Sequence, residues 1–230
     1  GADSFLVNNF FKDKSFKYSY EETSFTTIIK HSQLTNNIAR QFFLDNEIIA
    51  LLPISNIYTS IVWSAKKNFL NQYKNQNLLF KERIILHSKK YLKNINFFKN
   101  LEKIDLNFMI RNKYYKERIL LFGDALHQVH PLAGQGFNMI LRDLMSLKEI
   151  LNSKINLGLD IGSDDLLFQF SNEIKPRNFI YSLGIDLIKF YFSIQKKSFK
   201  NFRNRILTTI NKSNIAKKFF FNFADKGINF

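Results

Sequence analysis

Between Gly123 and Asn138 the chain reads Gly-Asp-Ala-Leu-His-Gln-Val-His-Pro-Leu-Ala-Gly-Gln-Gly-Phe-Asn, which gathers an acid, two histidines and three glycines in one short stretch. The apolar run Ile119 to Phe122 before it has the pattern of a strand buried on both faces. Gly123-Asp124 ends that strand, and an acid just past a strand end is placed to reach a ligand in the crevice there. Pro131 fixes the following loop, while Gly134 and Gly136 let the backbone approach a bound group with no Cβ in the way. From Phe137 the apolar residues recur at Ile140, Leu144, Leu147 and Leu151, one stripe of a helix. The free N–H groups and positive dipole end at such a helix start suit negative charge. His127 and His130 resemble half of a metal site. No clustered carboxylates or further ligands stand nearby, so no metal is expected. Proton transfer by either histidine stays open, Arg142 and Asp143 are read as helix packing or surface pairing, and no catalytic base is named.

Gly-Asp-Ala-Leu-His, then His-Pro-Leu-Ala-Gly-Gln-Gly-Phe-Asn, then Arg-Asp-Leu-Met-Ser-Leu resembles the second flavin-binding signature of FAD-dependent aromatic-ring hydroxylases. The wording is most similar to that of the hydroxylases of ubiquinone biosynthesis. The resemblance implies FAD as cofactor, NAD(P)H as reductant, and transfer of one oxygen atom to the ring of a polyprenylated phenol or quinone precursor. It implies a cofactor-binding set of Gly123, Asp124, Pro131, Leu132, Ala133, Gly134, Gln135, Gly136 and Asn138. In that family Asp124 would accept a hydrogen bond from the ribityl chain, and the backbone from Leu132 to Gly136 would face the flavin ring. Pro131 would hold the loop against the ring and Asn138 would contact its edge. The helix dipole would stabilise the charge of the reduced ring.

The chain opens Gly1-Ala2-Asp3-Ser4, where the family has Gly-Ala-Asp-Gly in mid-chain; only a weak suspicion of a nucleotide contact attaches to Asp3. The fingerprint Gly-x-Gly-x-x-Gly, which seats a pyrophosphate on a helix N-terminus, is absent. The expectation is therefore the later part of a hydroxylase lacking its dinucleotide-binding unit. The competing expectation is a non-catalytic remnant, or one subunit of a split protein, that binds a partner or a membrane.

To position these residues the resemblance implies an α+β fold, a fragment of an α/β FAD-binding fold, with the following division. Residues 1–115 are expected to form a substrate-binding domain with a mixed β-sheet. Residues 116–152 would return to the FAD domain as strand, loop and helix, and 153–230 would form a C-terminal helical region. Strands are predicted at Phe16 to Tyr20, Phe25 to Ile29, Ala39 to Phe43, Glu47 to Pro53, Tyr58 to Trp63 and Leu106 to Ile110, from alternation and β-branched or aromatic content. Asp45-Asn46 is a turn, and Asn71 to Leu92 contains a helix. By resemblance this sheet would wall the ring-binding cavity; Trp63 and its aromatic neighbours read as core packing. Beyond Asp164 the pattern is helical, with a break or kink near Lys175 before Pro176 and a weakening Gly184 in the next helix.

Composition excludes some classes. The absence of cysteine removes disulfides, thiolate catalysis and Cys-ligated metals. No apolar run is long enough to span a bilayer, and no secretory signal opens the chain. The net charge of +15, from 34 basic and 19 acidic residues, suits an anionic partner. No nucleic-acid motif accompanies it, and no nucleic-acid partner is expected. Phe199, Phe202, Ile206 and Ile210 form a second stripe with Lys and Arg opposite, followed by Lys217-Lys218-Phe219-Phe220-Phe221-Asn222-Phe223. This region is either a membrane-surface contact for a lipid-tailed substrate or a helix packed on the body of the protein. The expected location is cytoplasmic, peripheral on the inner face of the membrane, in contact with other quinone-biosynthesis proteins.

Overall fold

Alternating apolar and polar residues between Glu22 and Lys66 build a sheet whose one face is closed by aromatic rings. The computed structural model describes residues 1, 4–11, 15–194, 197–215, 217 and 218. The chain divides into two units, one of Tyr18–Asn107 and one of Gly1–Lys17 with Phe108–Phe230. The architecture is α+β, as the sequence predicts.

In the Tyr18–Asn107 unit the strands are β1 (Ser15–Lys30), β2 (Arg40–Phe43), β3 (Glu47–Pro53), β4 (Tyr58–Lys66), β5 (Asn96–Phe97) and β6 (Glu102–Arg111). Helix α1 (Phe5–Phe10) precedes them, while α2 (Lys67–Leu70) and α3 (Gln76–Ser88) lie between β4 and β5. The strand order is β2-β3-β4-β1-β6, with β5 added to β1. The sheet was expected to be mixed; β1–β4, β1–β5, β2–β3 and β3–β4 all pair antiparallel. Two strands were expected between Phe16 and Ile29, and a single β1 covers both. Glu21 takes a positive φ of 52° within it, and the Ser19 hydroxyl accepts the Glu21 N–H at 3.0 Å. The hydroxyl meets a backbone donor at the bend, so the strand continues. Leu44 N–H donates to Glu47 O across the Asp45-Asn46 turn at 2.9 Å.

The period of two puts Phe25, Ile29, Ile49, Ile61 and Trp63 on one face, each wholly buried. Helix α3 starts where the Asn75 side chain accepts the Leu78 N–H at 3.0 Å, and it lays Leu79, Phe80 and Ile84 into this core. Trp63 packs against Phe25 and Phe80 with ring centroids 4.8 and 5.7 Å away.

In the other unit the end of β6 pairs antiparallel with β9 (His127–Gln128), Met109 opposite Gln128 and Ile110 opposite His127. Between them β7 (Tyr115–Lys116) and β8 (Ile119–Leu120) form a separate small hairpin. This corrects the reading of Ile119 to Phe122 as a strand buried on both faces. The strand is only Ile119–Leu120, and Ile119 is 41% exposed. Gly123, at φ 63°, turns the chain into a 3-10 turn over Gly123–Ala125 and ends any extension. Helix α1 packs its Val7, with Phe11, against Tyr114, Leu121, Leu126 and Phe170, which places residues 1–17 with the later half of the chain.

Helices α4 (Gln135–Asn156), α5 (Asp164–Ser193) and α6 (Lys197–Lys212) complete this unit. The Ser163 hydroxyl accepts the Leu166 N–H at the start of α5, and Asp164 and Asp165 complement its dipole. A break or kink near Lys175 was expected; the helix does not break there, and α5 runs on through Pro176 and Gly184. Proline removes a single backbone bond there, and Ile174 and Asn178, buried on either side, hold both halves in place. The predicted stripes also face differently. On α4, Leu147 and Leu151 of the predicted stripe pack partly buried against the core, Leu144 is half exposed, and the fully buried residues are Met139, Asp143, Ser146 and Ile150. On α6, Phe202 is 58% exposed and Arg203 is buried, donating from Nη1 to the Tyr191 and Phe192 carbonyls at 3.3 and 3.1 Å. Those carbonyls lie in the last turn of α5, where a cation is favoured.

Candidate functional site

The Gly123–Asn138 stretch lies wholly within the second unit. Its first part is held by a residue that no motif in the sequence marks. Arg111, at the end of β6, is buried; its Nε donates to the Ala125 carbonyl at 2.7 Å and its Nη1 to the Phe11 carbonyl at 3.2 Å. Its backbone N–H donates to Leu126 O at 3.0 Å. The 3-10 turn is thereby clamped by a guanidinium. On that turn Gly123 is buried, and a Cβ there would meet Ile140 Cδ1 at 3.7 Å, so α4 packs directly against it. Asp124 is exposed, and its carboxylate has no hydrogen-bond or ion-pair partner among the described residues.

Pro131 is exposed and Leu132 is buried at 4%, an anchor beneath the loop. Leu132, Ala133 and Gly134 form a second 3-10 turn. Gly134 then caps α4 in the left-handed region at φ 68°, and nothing stands within 4 Å of the place a Cβ would take. Here only glycine is at ease, and open space lies beyond it. Gln135 and Gly136 open α4, and Asn138 sits half-buried in its first turn. Gln135 N–H donates to Leu132 O, and the N-cap Gly134 has no side chain to meet the N–H groups that follow. Gly136 is ordinary helical backbone, with Val129 Cγ2 3.4 Å from a Cβ placed there. Asp3, the weaker suspicion, lies outside the described residues, as do Phe219 to Phe223.

His127 and His130 are both buried, and His127 Nε2 donates to Asp143 Oδ2 at 3.1 Å. A carboxylate acceptor requires that this nitrogen carry the proton. The same oxygen accepts from Asn178 Nδ2 at 3.0 Å, and that amide also lies 3.4 Å from the Tyr114 hydroxyl. Asp143 is therefore a buried partner rather than a surface one. Burial pushes the Tyr114 hydroxyl up to about 12, against a smaller opposing effect of the Asn178 hydrogen bond. Two further contacts join α4 to α5: Arg177 Nη1 donates to Ser146 Oγ at 3.2 Å, and the Arg142 guanidinium lies 3.8 Å from the Tyr181 ring centre. Desolvation lowers the Arg142 pKa from its ordinary value. No local pattern in the sequence announces these partners, which come from separate elements.

The chain is similar to known proteins over most of its length. Ubiquinone biosynthesis monooxygenase COQ6 of Xenopus tropicalis is 26% identical over 253 residues, covering 93% of this chain and 53% of the relative. Ubiquinone hydroxylase UbiL of Rhodospirillum rubrum is 28% identical over 180 residues, 76% of this chain and 41% of its own length. The chain thus spans about half the length of the curated relatives it matches. In fold it is similar to p-nitrophenol 4-monooxygenase PnpA of Pseudomonas putida, with a TM-score of 0.75 at 14% identity over 99% of this chain and 57% of that one. The FAD binding domain family matches residues 10–178, a span that holds the Arg111-clamped turn, the Gly134 cap, all of α4 and the first half of α5, and to that family this chain belongs.

Proposed function

We propose that this chain supplies the flavin-holding turn, loop and helix of an FAD-dependent hydroxylase acting on the aromatic ring of a polyprenylated phenol or quinone precursor, with NAD(P)H as reductant. The observation that carries the reading is Asp124, an exposed carboxylate without a partner among the described residues, on a turn that a buried arginine clamps. A carboxylate so held accepts a ligand hydroxyl with no rearrangement. Gly134 leaves room for a flat ring at the loop, and the α4 N-terminus offers N–H groups and a positive dipole end to negative charge. Bound FAD supplies the redox and oxygen-transfer chemistry; the side chains bind it, orient it and keep its loop fixed. The ubiquinone-biosynthesis names of the relatives suggest the substrate class.

The test is the visible absorption spectrum of the purified chain after FAD is added and the excess removed. A retained flavin band, either alone or with a co-expressed polypeptide that bears Gly-x-Gly-x-x-Gly, is the expected result. Protein that stays colourless in both preparations rejects the flavin reading and leaves the non-catalytic one.

A peripheral membrane contact belongs to the same proposal. No helix among the described residues is long and apolar enough to cross a membrane. Helix α6 instead turns Phe202, Ile206 and Leu207 outward while Arg203 points in. An outward apolar face on a basic helix suits an anionic lipid surface, here the inner face of the membrane where a lipid-tailed substrate resides. Vesicles containing phosphatidylglycerol are expected to slow amide exchange over residues 197–212; unchanged exchange rejects the contact.

A further inference from the structure

The loop from Val129 to Gly134 is bracketed by a hydrogen bond between its two flanking elements. Before it, His127 on β9 donates to Asp143 Oδ2 at 3.1 Å; after it, Asp143 sits two turns into α4. The same carboxylate oxygen accepts from Asn178 on α5 at 3.0 Å, and Asn178 Nδ2 reaches the Tyr114 hydroxyl at 3.4 Å. All four side chains are at most 2% exposed. A carboxylate this deep is tolerated only while its hydrogen bonds are kept, so its geometry is closely determined. One carboxylate oxygen therefore ties β9, α4 and α5 together, and the Asn178 amide extends the tie to Tyr114. The Ser146–Arg177 and Arg142–Tyr181 contacts, one turn or less along α4, act in the same sense and fix the rotation of α4 about its axis.

We infer that Asp143 is a positioning residue for the cofactor loop: through His127 and Asn178 it sets the place of the Val129–Gly134 backbone and the aim of the α4 N-terminus. The inference rests on the flavin reading for its functional meaning, while its structural half stands without it. The Tyr114 hydroxyl, held up to about 12 by burial, stays a neutral partner to Asn178 at any working pH.

The histidine end gives the sharpest test. His127→Leu fills similar space without a donor, whereas His127→Gln returns an N–H to Asp143. Amide exchange over residues 129–138 of the unliganded chain is expected to rise at least tenfold in His127→Leu and to stay near wild type in His127→Gln. Exchange over residues 61–65 in the other unit serves as the control for general loosening. Asp143→Asn, which is isosteric, is expected to give an intermediate rise, and it remains readable if the leucine variant fails to fold. In the flavin-loaded protein the position and shape of the absorption band near the flavin maximum should change in the same order. Equal exchange in the leucine and glutamine variants, or a rise shared with residues 61–65, overturns the inference. A wild-type chain that takes up no flavin defeats the functional proposal alone, because the exchange comparison still decides whether Asp143 holds the loop.

Discussion

Asp124→Ala weakens FAD binding by about ten- to a hundredfold, the loss expected when a hydrogen bond to a charged group, worth roughly 1.5–3 kcal/mol, is removed. The size follows from the side chain's situation. Asp124 is exposed and makes no bond within the protein among the described residues, so its removal sacrifices no internal contact. The turn beneath it stays clamped by Arg111 through the Ala125 carbonyl, a backbone atom that the substitution leaves in place. Affinity should fall while the unfolding midpoint remains within the small range of a surface change. Asp124→Asn keeps a neutral acceptor and should recover part of the loss. Titration of FAD fluorescence against each variant, paired with a thermal melt, separates these effects. Unchanged affinity in the alanine variant removes Asp124 from the site.

Arg83→Ala is the substitution expected to cost the most stability, about 3 kcal/mol in the Tyr18–Asn107 unit. Glu47 is buried at 4%, and its carboxylate is shared between the Arg83 guanidinium and Trp63 Nε1, which donates at 2.6 Å. Without Arg83 the buried carboxylate keeps, among the described residues, the indole N–H as its side-chain partner. The value sits at the low end of the range for a broken buried pair, because the Arg83 side chain is 28% exposed and water gains some access. Glu47→Gln should cost less, since the amide oxygen still accepts from Trp63. Trp63 is the single tryptophan of the chain, so its fluorescence during urea unfolding reports this unit directly. A midpoint for Arg83→Ala equal to wild type would falsify the account of how Glu47 is accommodated.

Function in this chain depends on parts with different legibility. The glycines and the acid between Gly123 and Asn138 announce themselves, because a left-handed cap at Gly134 and a helix start after it are local requirements of the backbone. The sheet strands are equally local, since Phe25, Ile29, Ile49 and Trp63 alternate at the period that a half-buried strand demands. What defeats the local reading is burial among separate elements. Ile119 to Phe122 has the composition of a covered strand, but the structure stops the strand at Leu120 because Gly123 bends the chain immediately afterwards. The stripe through Leu144 marks an apolar face of α4, yet the buried face is the one bearing Asp143 and Ser146, since α5 meets it with Asn178 and Arg177.

The sequence by itself determined the α+β class, the absence of thiol chemistry, the longer strands of the sheet and the turn–loop–helix that marks the family. These are consequences of backbone preference, period and motif, each carried by residues close together in the chain. Only the tertiary structure decided that Arg111 clamps the turn under Asp124, that Asp143 is a buried partner of His127 and Asn178, and that Pro176 lies inside an unbroken helix. The physical reason is common to all three. A buried polar group is tolerated only where distant segments deliver its partners, and a broken helical bond only where packing on both sides compensates, and neither condition is written in neighbouring residues.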